Sequence, residues 1–165
     1  MNSTRLKVLL DSTYILPSFG IEVEGLTDNH IAKLREAKIK GKIEFYCSPV
    51  IWIEVLGKIW RESKHRKIEV EEIVERAVEA LIKSEFYNWI KPSAEAIKLA
   101  FKLRKKGHKD NIDNILYATA TTNKMIFLTM DEDLKNFLIK NNYEAKHLLD
   151  HIELLKQIRR KFNLV

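Results

Sequence analysis

Residues 107–134 read GHKDNIDNILYATATTNKMIFLTMDEDL, and the fold of the chain turns on them. Gly107 marks a stop. An acidic helix start follows, then a helix with small residues on one face, a short apolar strand and a second acidic turn. Asp110 and Asp113 are three residues apart, so on a helix they share a face. Asp131 comes almost directly after the strand predicted at residues 125–129. In open α/β sheets, ligands bind beyond the carboxyl ends of the strands. Acids gathered there, with no glycine-rich phosphate loop, point to a cation rather than a bare phosphate.

Working outward, 165 residues suit one domain, residues 1–165, with enough chain to bury a core. An apolar fraction of 45% and a charged fraction of 32% exclude a disordered chain. No apolar run approaches the length of a membrane-spanning helix, so no membrane association is expected. The N-terminal apolar run is too short for a signal-peptide core, which makes a cytoplasmic protein the expectation. The single Cys47 forms no internal disulfide and supplies no zinc motif. Net charge is +6, with basic clusters at residues 61–67, 102–109 and 156–161. A basic surface around an acidic pocket suits a polyanionic substrate held by its phosphates.

In chain order, residues 6–10 (LKVLL) read as a buried parallel strand ending at Asp11. Asp11 either caps the turn that follows or points a carboxylate into the cleft at the strand end. A helix is expected from Thr27 or Asp28 to about Lys40, with Ile31, Leu34 and Ile39 on its apolar side. Residues 42–47 are a second strand, in which Cys47 is a small buried hydrophobe. Ser48-Pro49 predicts a capped helix start, and the helix is apolar nearly all round at first, so burial on most sides is expected. Glu54 is the sole charge in its first turns. A lone buried carboxylate is costly unless it is paired or binds metal, so Glu54 enters the cleft, faces water or pairs with a lysine. A helix over residues 70–84 has Ile73, Val74, Ala77, Ala80 and Leu81 as its stripe. Residues 86–90 form a short strand or an extended link, Ser93 caps a helix that ends at Gly107, and the helix of residues 111–123 carries Ala118 and Ala120 close against a sheet. A helix over residues 131–140, a strand over 144–148 and an amphipathic helix over 150–162 complete the chain. This alternation predicts an α/β fold: a central, mostly parallel sheet flanked by helices.

Asp11, Glu54, Asp113 and Asp131 then share one logic: two follow strands and two open helices. Carboxylate oxygens are hard ligands suited to Mg²⁺ or Mn²⁺, and nothing in the sequence favours zinc.

Four segments in order, LLDSTYILP, SPVIWIEVLGKI, DNIDNILYATAT and FLTMDEDL, resemble the successive motifs of PIN-domain ribonucleases, particularly VapC-type toxins of archaea and bacteria. The resemblance runs over nearly the whole chain. It implies a PIN-like three-layer α/β/α fold, with catalytic, metal-holding acids at Asp11, Glu54, Asp113 and Asp131 and a fifth metal-site acid at Asp110. It implies Mg²⁺- or Mn²⁺-dependent endonucleolytic cleavage of single-stranded RNA, leaving a 3′-hydroxyl and a 5′-phosphate. For a toxin it further implies a small antitoxin protein as partner and a homodimer. The segment of residues 18–40 and the C-terminal tail make the chain longer than a compact toxin. A non-toxin PIN nuclease acting on structured RNA or DNA, or a non-catalytic RNA- or protein-binding PIN-like module, are the competing expectations.

The remaining candidates carry less. Asp110 divides evenly between helix cap and metal site. Asp133 reads as a helix-start acid favoured by the dipole. Ser12, Thr13 and Thr129 either support the metal site by hydrogen bonding or satisfy local backbone groups. His108 is expected to be a solvated surface histidine, Trp52 and Trp60 to pack, and Tyr14 and Phe19 are candidates to stack on bases.

Overall fold

A computed structural model describes residues 4–67 and 69–163. Five parallel strands form one sheet in the order β3-β2-β1-β4-β5. The strands are β1 (Leu6–Leu10), β2 (Ile43–Cys47), β3 (Tyr87–Trp89), β4 (Ile126–Leu128) and β5 (Leu148–Leu149). Helices α1 (Asp28–Ile39), α2 (Ile51–Arg66), α3 (Glu71–Lys83), α4 (Ala94–Lys106), α5 (Asn111–Thr122), α6 (Glu132–Lys140) and α7 (His151–Lys161) complete a three-layer α/β/α arrangement.

The central strands explain the buried runs of the sequence. Val8, Leu9 and Leu10 of β1 and all three residues of β4 are buried, as strands covered on both faces must be. β2 alternates instead, with Ile43, Phe45 and Cys47 buried and Glu44 and Tyr46 half-buried. Burial pushes the Cys47 thiol up to about 12, so it stays a neutral hydrophobe. The chain leaves β1 for β2 on one side and returns to β4 on the other. The gap between the carboxyl ends of β1 and β4 is thus the topological switch point, where such sheets bind ligands.

Several helices differ from the sequence reading. Ser48 does not cap α2. Its hydroxyl is buried without a hydrogen-bond partner, and the helix is entered through a tight turn in which Ile51 N–H donates to the Ser48 carbonyl (3.1 Å). α2 is not buried on most sides. Ile51, Val55 and Ile59 face the core, whereas Ile53, Leu56 and Trp60 lie on an exposed face, Ile53 at 72%. In α1 the buried residues are Leu34 and Ala37, and Ile39 is exposed two residues before the stop at Gly41. Ile73 of α3 is exposed, leaving Ala77 and Leu81 as its buried contacts. Ala118 of α5 packs against Ala96 and Ala100 of α4, not against the sheet, so small residues there bring two helices together. No helix among the described residues is long and apolar enough to cross a membrane.

Candidate metal centre

Asp11 is the first residue past β1, and its N–H donates to the Leu128 carbonyl of β4 (3.0 Å), which sets it at the switch point. Its carboxylate is held at both oxygens. Oδ1 accepts from the N–H of Ser12 (2.6 Å), as cap of the short 3₁₀ turn Ser12–Tyr14, and Oδ2 accepts from the Thr129 hydroxyl (2.8 Å). Asp11 is therefore a turn cap whose carboxylate stands at the carboxyl end of β1. Thr129 Oγ1 in turn accepts from the N–H of Asp131 (3.1 Å), so its proton has one direction left, toward Asp11.

Glu54 arrives from the first turn of α2 and Asp113 from the first turn of α5. One carboxylate oxygen from each of Asp11, Glu54 and Asp113 lies within 4.8 Å of the others. The donor set is all oxygen and converges from three separate elements, which fits a hard divalent cation such as Mg²⁺ or Mn²⁺. The electrostatics agree. Burial, then the nearby charge of Glu54, raises the Asp11 carboxyl to about 6 against the hydrogen bonds from Thr129 and Ser12. Burial raises Asp113 to about 8, reinforced by Asp11, Asp110, Asp131 and Glu54. Two acids whose charged forms are disfavoured, first by burial and then by neighbouring carboxylates, are a pair that a dication stabilises in their ionised form.

The other two sequence-predicted acids do something different. Asp131 caps α6, its Oδ1 accepting from Leu134 N–H (2.8 Å), and Asp110 caps α5, its Oδ1 accepting from Ile112 N–H (2.8 Å) and Asp113 N–H (3.1 Å). Neither belongs to the convergent trio, although both charges reach Asp113. Asp133 is an exposed first-turn acid of α6, as its dipole reading has it. Ser12 is fully buried and Thr129 nearly so, both in direct contact with the trio's surroundings; Thr13 is half-buried.

Phe19 is no stacking platform: it is buried, edge-on to Trp52. Tyr14 is engaged by α7, its hydroxyl bonded to the backbone N–H and Nδ1 of His151 (both 3.1 Å). Trp52 stacks on Trp89, while Trp60 stands exposed with Lys64 over its ring. His108 is not simply solvated. Its Nδ1 pairs with Asn114 Oδ1 (2.8 Å), Asn114 Nδ2 returns to the His108 carbonyl (3.1 Å), and the ring lies against Phe137. This clasp fixes the turn that delivers Asp113.

The lysine that the sequence offered as one partner for Glu54 is Lys58, whose ammonium pairs with Glu54 and, beyond that reading, lies 3.1 Å from Ser12 Oγ. The Glu-to-Lys spacing of one helical turn was the available signal. The basic clusters also divide. Residues 102–109 lead directly into Asp110 at the acid end, whereas Lys161 bonds the Thr4 carbonyl ahead of β1, at the opposite end of the sheet.

A parallel α/β/α sheet with oxygen-only acids at its switch point is the architecture of PIN-like domains. The sequence pattern of the PIN domain family matches residues 9–138, and the chain belongs to that family. Among solved structures it is similar to VapC20 of Mycobacterium tuberculosis, a sarcin-ricin loop cleaving toxin, with 13% identity, a TM-score of 0.52, and coverage of 84% of this chain and 97% of that one. It is also similar to a chain of VapBC2 from Rickettsia felis, solved bound to a DNA fragment from its promoter, with 13% identity, a TM-score of 0.56, and coverage of 80% and 93%. At such identities the likeness speaks for the fold. No curated protein matches the chain in sequence.

Proposed function

We propose that this protein is a Mg²⁺- or Mn²⁺-dependent endoribonuclease acting on single-stranded RNA in the cytoplasm, and the toxin of a VapBC-type pair. The observation that carries the reading is the convergence of Asp11, Glu54 and Asp113 within 4.8 Å at the switch point. Asp11, Glu54 and Asp113 would hold the ion, with Asp110 and Asp131 adding negative charge from their caps. Bound there, the ion supplies an activated water and charge stabilisation for in-line displacement at phosphorus. The chain's own part is positional. Thr129 and Ser12 fix the plane of the Asp11 carboxylate, and the His108–Asn114 clasp fixes the start of α5. The reaction adds water across a P–O3′ bond, leaving a 5′-phosphate on one fragment and a 3′-hydroxyl on the other. The basic residues of 102–109 border the acids and suit the approaching phosphate backbone.

The pairing with a small antitoxin, and a homodimeric state, extend this reading. The two similar structures are a VapC toxin and a VapBC assembly, which supports it at the level of fold. The test is cleavage of single-stranded RNA in Mg²⁺ or Mn²⁺, repeated with Asp11→Asn and Asp113→Asn. Cleavage that survives both substitutions rejects the site. Tight RNA binding without cleavage under either ion favours a non-catalytic module, and cleavage confined to DNA or structured RNA favours a non-toxin nuclease.

A further inference from the structure

Five Glu–Lys or Glu–Arg pairs one helical turn apart occur among the described residues. Four are surface pairs whose side chains are 41% exposed or more. The fifth, Glu54–Lys58, is sunk to 25% and 28%, and it is the one that includes a member of the acid trio. Its ammonium has a second partner inside the fold: the hydroxyl of Ser12, a fully buried residue directly after Asp11. Lys58 also lowers the Asp11 carboxyl, so its charge is felt inside the pocket. A lysine reaching inward past solvent to a crowded set of carboxylates is acting as their counter-ion.

We propose that Lys58 is the resident cation of this site: it holds Glu54 in the metal-free protein, yields it to the divalent ion, and then presents its ammonium to a phosphate oxygen of the substrate. The proposal rests on the nuclease reading only for its last step. A doubly charged ion beside Asp11 and Asp113 outcompetes a single ammonium for Glu54, since attraction scales with charge. The ammonium has three donors, and Ser12 Oγ uses one. Released from Glu54, it stays tethered at the rim by Ser12 with donors free, as a compact point charge of the kind phosphates accept.

The test uses the full chain with Lys58→Met and Lys58→Gln, both compatible with an α-helix, each checked for an unchanged circular dichroism spectrum. Calorimetric titration with Mn²⁺ alone reads the first step. Removing the competing ammonium is expected to tighten binding by about tenfold. Unchanged or weaker binding overturns the proposal, because a merely structural pair, or one that props Glu54 in place, gives that result. Cleavage of a single-stranded RNA at saturating Mn²⁺ reads the last step. The variants are expected to lose on the order of 10²-fold in kcat, as when one preorganised cationic or hydrogen-bond donor is removed from a developing charge, with Lys58→Arg recovering part of it. Cleavage by the variants at the wild-type rate overturns the phosphate contact. Should the wild-type chain cleave no RNA while the variants still bind Mn²⁺ more tightly, the nuclease reading fails and the counter-ion role stands.

Discussion

Replacing Asp113 by Asn is expected to stabilise the metal-free protein at neutral pH, against the usual effect of altering a buried polar group. Asp113 is only 9% exposed and its carboxyl is raised to about 8 by burial and four neighbouring carboxylates. A carboxyl whose folded value lies above its unfolded value favours folding fully only below the unfolded value, here about 3.8. That contribution drains away as pH climbs and is gone above about 8. At pH 7 the unfolded chain gains the ionisation of Asp113 while the folded chain largely forgoes it. At about 1.4 kcal/mol per pH unit, the interval from 3.8 to pH 7 sets an upper bound of about 4.5 kcal/mol, and screening at an open pocket brings it to about 2–4 kcal/mol. Asn keeps the shape and removes the titration. In chelator at pH 7, the thermal midpoint of Asp113→Asn should exceed wild type by roughly 10 °C for a chain of this size. Near pH 3.5, where both side chains are neutral, the two midpoints should meet. Adding Mn²⁺ should reverse the order, raising wild type and leaving the variant nearly unmoved. A gap that is absent at pH 7, or constant between pH 3.5 and 7, refutes the argument from crowding.

Thr129→Val removes the donor to Asp11 and the acceptor for Asp131 N–H together; a loss of about 1–3 kcal/mol in urea unfolding, with weaker Mn²⁺ binding by calorimetry, is expected. Asp131→Ala should cost about 0.5–2 kcal/mol through the lost cap, and Asp131→Asn almost nothing. If Asp131→Asn abolishes Mn²⁺ binding in the same titration, Asp131 is a ligand as well as a cap. Leu128→Ala, in the fully buried β4, should cost about 2–5 kcal/mol by chemical denaturation. Trp60→Ser, on the exposed face of α2, should stay within about 0.5 kcal/mol of wild type in the same assay.

The sequence declares most of the frame because central parallel strands have little choice. Val8–Leu10 and the MIFL of residues 125–128 are apolar without alternation, and only a doubly covered strand tolerates that. Asp11, Glu54 and Asp113 are legible for the related reason that each follows or opens an apolar element at the same end of the sheet. What the chain conceals is which polar group wins a contested partner. Asp131 and Asp110 are aspartates in settings like that of Asp11, yet their carboxylates stand outside the convergent trio, each with Oδ1 turned to helix N–H groups. α2 shows the matching blindness for apolar groups. Ile53, Leu56 and Trp60 are as hydrophobic as Ile51, Val55 and Ile59, and nothing in their order tells which row meets the sheet. Ser48 sits where a cap belongs, but the turn through Pro49 moves the helix start to Ile51 and strands its hydroxyl.

The hydrogen bond from Thr129 to Asp11 joins residues 118 positions apart. During synthesis Asp11 therefore leaves the ribosome long before either Asp113 or the Thr129 hydroxyl that orients its carboxylate. The three acids can converge in their final arrangement only once the chain through Thr129 is free to fold.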